Sequence, residues 1–452
     1  MPARLARILA ALIWVLLPEA APADDLLSIY RLAQQSDPQL KAAEAAHAAA
    51  LESVPQAIAV LLPDISLAGD VSRNRFHNRQ PEAGVNENSY ATNRTYSALL
   101  RQSLYQRERF VQLEQADSRV AQADAEWFAA QQDLILRTAT RYFLVLGAQD
   151  NVDFVIADKE AIGRTLEQAK QRFEVGLTAI TDVYEAQARY DVAVSDEINA
   201  RKLLDDAEEA LRELTGEIPY NLEVLVEEIP LLMPEPVDQE QWVSTAAEQN
   251  PLLLASRAAT EVARQEIQVQ RSGHYPSMDL TADYSRRNND FGGLGIPLNR
   301  NDSAIGVEIT LPIYSGGLVS SQTRQARDLF TQAQEEQVKT RREIERNARD
   351  SYRGMVADIS KVKALRQAVL SGEKALEASQ AGFDVGTRTI VDVLDSQREL
   401  LRARRDHARS RYDYLLDTLR LKQAAGIVEQ ADLEAMNTLL EPQPERGGET
   451  AP

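Results

Sequence analysis

The side chains best placed to act together are Asp392 and Asp395, three residues apart in a proline-free stretch. On a helix that spacing puts both carboxylates on one face. Paired acids can do general acid–base work, but nothing around these two builds a concave pocket. The chain has no P-loop, no GxSxG and no HExxH motif. Gly292-Gly293-Leu294-Gly295 lies in a polar stretch and opens no helix. The four His, at 47, 77, 274 and 407, lack metal-ligand spacing, and the absence of Cys excludes thiol catalysis, disulfides and Cys-ligated metals. No catalytic role, cofactor or metal is therefore expected. Two readings of the acids remain. Asp392 can cap a helix whose positive end also favours Asp395, and Asp182 with Glu185 repeats the pattern. Alternatively, copies of the chain around an axis would stack the acids into carboxylate rings, which attract cations and raise one another's pKa.

The elements that must hold these acids are helices. The chain has 452 residues, 26% of them charged, with a net charge of −19. That balance excludes a nucleic-acid partner, whose phosphates need a basic face. No proline falls between Pro81 and Pro219 or between Pro312 and Pro442, and proline costs a helix interior roughly 3 kcal/mol. Leu113, Val120, Trp127 and Leu134 recur every seven residues, as do Met355, Val362, Val369, Leu376 and Phe383. Such spacing keeps one seam against a neighbouring helix. The spacing predicts long helices over 106–174 and 317–383, each followed by a turn and a return helix, 182–215 and 392–425. The long ones would span ~100 Å and the return helices about half of that.

The two sets arise from an internal duplication. RFEVGLTAITDV at 172–183 matches GFDVGTRTIVDV at 382–393, and Asp37-Pro38 matches Asn250-Pro251. A unit of this size is too long for a solenoid repeat, so two similar halves are expected, 24–216 and 251–426. Each opens with a helix, near 38–58 and 251–271, followed by a β-hairpin, 64–104 and 277–313. Ile65, Leu67, Gly69 and Val71 alternate with Ser66, Ala68, Asp70 and Ser72, and Ile305, Val307 and Ile309 alternate with Ala304, Gly306 and Glu308. That period gives one apolar and one polar face. Polar loops are expected over 74–94 and 286–302, a Pro-rich equatorial linker over 217–250, and an equatorial then disordered tail over 427–452.

The first 23 residues read as a signal peptide: Arg4 and Arg7, an apolar run from Ile8 to Leu17, then Ala21-Pro22-Ala23. A buried N-terminal helix is the alternative, against which Asp24 and Asp25 speak. Elsewhere no apolar run is long enough for a transmembrane helix. Export, strand length and one polar face suit an outer-membrane barrel, although two hairpins could also form a small soluble sheet. Four strands cannot close a barrel, and lipid tolerates no open edge. Membrane-spanning strands would therefore require an oligomer that shares one barrel. Tyr90, Tyr96, Tyr105, Tyr284 and Tyr314 are candidates for interfacial belts.

GTRTIVDVLD at 386–395, with RFEVGLTAITDV in the first half and LPIYSGG at 311–317, resembles the TolC family of outer-membrane efflux and type I secretion channels. The resemblance covers nearly the whole chain beyond the signal peptide. It implies a mainly α protein with a small membrane β part. Two structural repeats give four strands and long antiparallel coiled helices per protomer. A homotrimer then forms a 12-stranded β-barrel in the outer-membrane lipid of a Gram-negative bacterium, continued by a 12-helix periplasmic α-barrel. The implied function is passive, gated export of drugs, toxins or proteins. The implied partners are a periplasmic adaptor protein and an inner-membrane pump of the RND, ABC or MFS type.

Carried onto this sequence, the family's entrance acids are Asp392 and Asp395. Its gate links are Thr181, Asp182, Phe383 and Arg388, with Arg388 expected to reach Asp182 or Thr181. Phe383 departs from a frequent Tyr and cannot donate a hydrogen bond, so the gate should lean on Arg388; a solvated surface charge is the alternative for that residue. The turns Val175-Gly176-Leu177 and Val385-Gly386-Thr387 are the adaptor-docking tips, although helix termination alone also explains their glycines. The second functional reading is a periplasmic coiled-coil adaptor or scaffold.

Overall fold

The computed structural model describes residues 24–77, 88–217, 221–291 and 298–442. The expected signal peptide, the Gly292–Gly295 run and the tail beyond 442 lie outside these residues.

The chain opens with α1 (Leu26–Ser36), α2 (Pro38–Leu51) and α3 (Ser53–Ala59), then β1 (Asp64–His77) and β2 (Asn88–Gln106). The long helix α4 (Arg107–Glu174) and its return α5 (Ile180–Thr215) follow. After β3 (Val224–Leu225) and α6 (Gln239–Gln249), the plan repeats as α7 (Pro251–Arg271), β4 (Ser277–Phe291), β5 (Leu298–Thr310), α8 (Leu318–Asp384) and α9 (Ile390–Ala425). The last elements are α10 (Gln430–Asn437) and β6 (Leu440–Glu441).

Two compact units cut across the two sequence repeats. One is Ala43–Phe128 with Pro251–Arg342; the other is Met1–Ala42 with Ala129–Asn250 and Glu343–Pro452. Each unit draws on both repeats, because each repeat supplies a hairpin to one and a return helix to the other.

In the first unit the four long strands form one antiparallel sheet in the order β1-β2-β4-β5. Residues directly opposite one another share a face. Ile65, Leu100, Ala282 and Ile305 therefore make one row across the sheet, and Gln102, Leu280 and Val307 the next. From Met278 to Arg286 this face runs about 27 Å at roughly 3.4 Å per residue. Leu67 is 83% exposed and Ile305 78%, so the apolar face is uncovered within the protomer. The other face carries Ser66, Ser97, Ser285 and Asp302, with an Arg101–Asp279 ion pair at 3.0 Å. Tyr90, Tyr96, Tyr105 and Tyr284 register with the apolar face, and all four, with Tyr314, are exposed. The strands reach well into the stretches expected to be polar loops, 74–94 and 286–302. Their outer halves pair Arg94 with Asn288 and Arg287 with Arg300. With polar side chains on both faces, no alternation marks them as strand.

In the other unit α5 buries Ala186, Ala193, Ala200, Ala207 and Leu214 along one sevenfold seam, and small side chains there allow close helix approach. Both return helices begin at an isoleucine, Ile180 and Ile390, two residues before their expected starts, because Ala179 and Thr389 are the extended N-cap residues. Both end at a left-handed glycine, Gly216 and Gly426. A Cβ on Gly426 would also lie 2.6 Å from Asn250 Cα. The 217–250 linker and the post-426 segment hold more structure than their composition suggests: α6, α10 and the paired strands β3 and β6. Trp242 anchors α6, donating its Nε1–H to the Pro236 carbonyl at 2.9 Å. Deeper still, Tyr142 packs edge-on to Phe143, which stacks on Tyr412; the Tyr412 hydroxyl donates to Asp150 at 2.7 Å.

Where the first repeat places Ala207, the second has Asp417. Its carboxylate sits in the notch left by Gly354, where a Cβ would stand 2.9 Å from Oδ2. Burial and the hydrogen-bonded Asp417 carboxylate push buried Asp358 up to about 6, with Lys361 at 3.9 Å opposing them. A carboxyl raised above its unfolded value of 3.8 binds its proton more tightly when folded. Its destabilising effect therefore grows as pH rises between those values and is complete above about 6. Asp358→Asn should gain about 1–2 kcal/mol at pH 7.5 and little at pH 4. Thermal melts of the purified protein at the two pH values check this; equal shifts at both would contradict it.

Candidate functional site

The two long helices close identically at the tips. Leu177 N–H donates to the Arg172 carbonyl at 2.8 Å and Gly176 N–H to Phe173 at 2.9 Å; Thr387 donates to Gly382 at 2.8 Å and Gly386 to Phe383 at 3.1 Å. This paired closure needs a left-handed residue, supplied by Gly176 (φ 76°) and Gly386 (φ 79°). A Cβ on either would meet nothing within 4 Å, so the backbone conformation, not crowding, demands glycine. The turns push Val175, Leu177 and Val385 outward, 69%, 71% and 76% exposed.

Directly beneath lies one apolar cluster to which all four helices contribute: Ile162, Leu166 and Ala169 from α4, Ala186 and Ala193 from α5, Phe383 from α8, and Ile390, Val393 and Leu394 from α9. The two hairpins therefore share a core next to their tips. At about 25 cal/mol per Å2 of buried apolar area, such a cluster outweighs any single polar link around it.

Asp392 sits at the third position of α9 in a reciprocal capping box. Its Oδ2 accepts from the Thr389 N–H and from the Thr389 hydroxyl, each at 2.8 Å, while the Asp392 N–H donates back to that hydroxyl oxygen. The cap proper is Thr389, not Asp392 as the capping reading had it. The Thr389 N–H, its hydroxyl and then the Arg388 guanidinium hold the Asp392 carboxyl below the usual carboxylate range. In the first repeat Ala179 has no hydroxyl to offer; Thr178, one residue earlier, donates its hydroxyl to Asp182 instead.

Arg388 was expected to reach Asp182 or Thr181. Within the protomer its ion pair runs to Asp392 Oδ1 of its own helix, at 3.7 Å. The reason is local: Thr389 leaves Oδ1 free one turn from Arg388. Gly382 also lets the arginine stem fold back, since a Cβ there would lie 2.6 Å from Arg388 Cγ. Thr181 is exposed on the first turn of α5. Phe383 is buried, 7% exposed, and its ring carries the Arg172 guanidinium at 4.6 Å. Asp395 is reached by Arg189 of α5 and by Arg398, each at 3.4 Å, and Arg189 also pairs with Glu185 at 3.4 Å. The structure thus brings Asp395 and Glu185, matching acids of the two repeats, onto one arginine. Arg172 and Arg189 were not singled out in the sequence; the signal available was asymmetry, since Arg172 aligns with Gly382 and Arg189 with Glu399.

Among the described residues no helix is long and apolar enough to cross a membrane, and no group of potential ligands could hold a metal. The β-sheet is the element with an apolar face suited to lipid. The model of the outer membrane efflux protein family matches residues 29–217 and 242–427, the two repeats without the equatorial linker. The chain is 40% identical over 428 residues to outer membrane protein TolC of Vibrio cholerae, covering 93% of this chain and 95% of that one. It is 37% identical to outer membrane protein TolC of Escherichia coli, covering 92% and 85%. The crystal structure of outer membrane protein VceC from Vibrio cholerae shares the fold, with a TM-score of 0.74 over 89% of this chain and 96% of that one at 22% identity. None of these relatives is an adaptor, so the adaptor reading finds no support. A duplicated strand-and-helix plan, a sheet with one bare apolar face, and these matches place the chain in the outer membrane efflux protein family, as an outer-membrane channel of efflux and secretion in a Gram-negative bacterium.

Proposed function

We propose that three copies of the chain close one 12-stranded barrel and continue it as a 12-helix tunnel whose tips form a gated entrance. The observation that carries this reading is the four-stranded sheet. Among the described residues β1 and β5 each pair on one side only, and one face is apolar from edge to edge. An unpaired edge in lipid costs several kcal/mol for each unsatisfied backbone group. Joining β5 of one copy to β1 of the next removes every edge.

Threefold symmetry then sets Asp392 and Asp395 around one axis as two carboxylate rings that draw cations to the entrance. Arg388, 3.7 Å from Asp392, offsets the repulsion between ring members. Thr181, Asp182, Phe383 and Arg388 make up the gate region. The tips Val175-Gly176-Leu177 and Val385-Gly386-Thr387 dock a periplasmic adaptor, which couples the channel to an inner-membrane pump of the RND, ABC or MFS type. The pump supplies the energy, and drugs, toxins or proteins are the cargo. Arg388→Ala should increase single-channel conductance in planar bilayers, because three positive charges leave the acidic ring. Conductance equal to wild type would count against the gate.

A further inference from the structure

The two tips are equivalent in backbone but not in side chains. The first repeat has Arg172 where the second has Gly382, and Phe173 where the second has Phe383. Phe173 is exposed, whereas Phe383 is built into the four-helix cluster beneath the tips. Arg172 ends α4 with its guanidinium over the Phe383 ring at 4.6 Å and its Nη1 4.0 Å from Asp384. Both contacts cross from the first repeat to the second. A basic residue in the last turn of a helix is ordinary, since it faces the negative end of the dipole. That accounts for the presence of an arginine. It does not account for a guanidinium laid on the ring of the other repeat's long helix.

We propose that Arg172 is a positioning residue of the closed entrance, clamping the ends of α4 and α8 together through the Phe383 ring, with Asp384 as a second anchor. The inference rests on the gate reading above and adds to it a link that needs no hydroxyl on residue 383. A guanidinium half-withdrawn from water, its side chain 25% exposed, is attracted to the negative face of the ring. Arg388 fastens the tip to its own helix; Arg172 fastens one repeat to the other. Phe383 is thus the platform of the closure.

The test uses the purified full chain in planar bilayers, with circular dichroism confirming that each variant is folded. Arg172→Met keeps most of the aliphatic stem and removes the charge. It should raise the open fraction about two- to fivefold, the worth of one partly exposed cation–π contact. Arg172→Lys should restore most of the closed fraction, and Phe383→Leu should reproduce Arg172→Met. The double variant Arg172→Met/Phe383→Leu should open no further than either single one, because both remove the same contact. Wild-type gating in Arg172→Met, or additive effects in the double variant, would overturn the proposal. Arg388→Ala separates the two ideas. If it opens the channel while Arg172→Met does not, the clamp falls and the gate stands. If neither changes conductance, both fall.

Discussion

Ile305→Arg is expected to leave almost no folded channel in the outer membrane. Ile305 lies in the row Ile65–Leu100–Ala282–Ile305, near the middle of the apolar face, and is 78% exposed within the protomer. An arginine on the lipid side of a barrel near its midplane costs about 2–4 kcal/mol. Three copies in one barrel multiply that to roughly 6–12 kcal/mol per assembly, a large share of any protein's marginal stability. Ser97→Arg is the control: Ser97 lies between Ala68 and Ser285 on the opposite face of the sheet, so it should assemble near normally. Outer-membrane fractions probed for heat-modifiable protein read both. Equal loss in the two variants would mean that the faces are misassigned.

Asp37→Ala is expected to cost about 3 kcal/mol, the usual result of removing one partner of a buried ion pair together with a helix cap. Asp37 ends α1 and begins α2: its N–H donates to the Ala33 carbonyl at 2.8 Å, and its Oδ2 accepts from the Leu40 N–H at 2.9 Å. Arg137 of α4 holds the same carboxylate, Nη2 at 2.7 Å and Nη1 at 3.3 Å, while its Nε reaches Asp133 at 2.6 Å. The residue is 3% exposed. Burial by itself would raise the carboxyl; the Arg137 hydrogen bonds and the Leu40 N–H overcome it and hold Asp37 below the usual range. A lowered carboxyl stabilises the fold above its unfolded value, and that contribution is lost as pH falls through the folded value. Asp37→Ala should therefore lower the melting temperature strongly at pH 7 and much less at pH 3. Asp37→Asn keeps the cap and should fall in between; a neutral shift for both at pH 7 would contradict the assignment.

Much of this architecture was legible because a few strong signals agreed. Proline-free windows, the sevenfold run from Met355 to Phe383 and the offset between Val175-Gly176 and Val385-Gly386 fixed the helices and the duplication. Alternation from Ile65 to Val71 and from Ile305 to Ile309 fixed the inner halves of the strands. The outer halves were missed because a strand with polar residues on both faces has no period to read. Helix α1 was missed although Leu26, Ile29, Tyr30 and Ala33 carry its buried stripe; it lies in the shadow of the leader segment and is only 11 residues long. The site was half legible. Types and spacing identified the acids, and the glycine turns located the tips. Partner choice was not readable, because it depends on which side chain stands opposite across the repeat. Gly382 directs Arg388 back to its own helix, and Arg172 takes the place over Phe383 that a hydrogen-bond argument had left empty.

Native mass spectrometry of the chain extracted from outer membranes in mild detergent tests the central claim most directly. Four strands with two open edges and one bare apolar face require company in lipid. The spectrum should be dominated by an assembly of three chains, with no stable single copy. A folded, detergent-independent single chain would contradict the shared barrel, and the entrance rings with it.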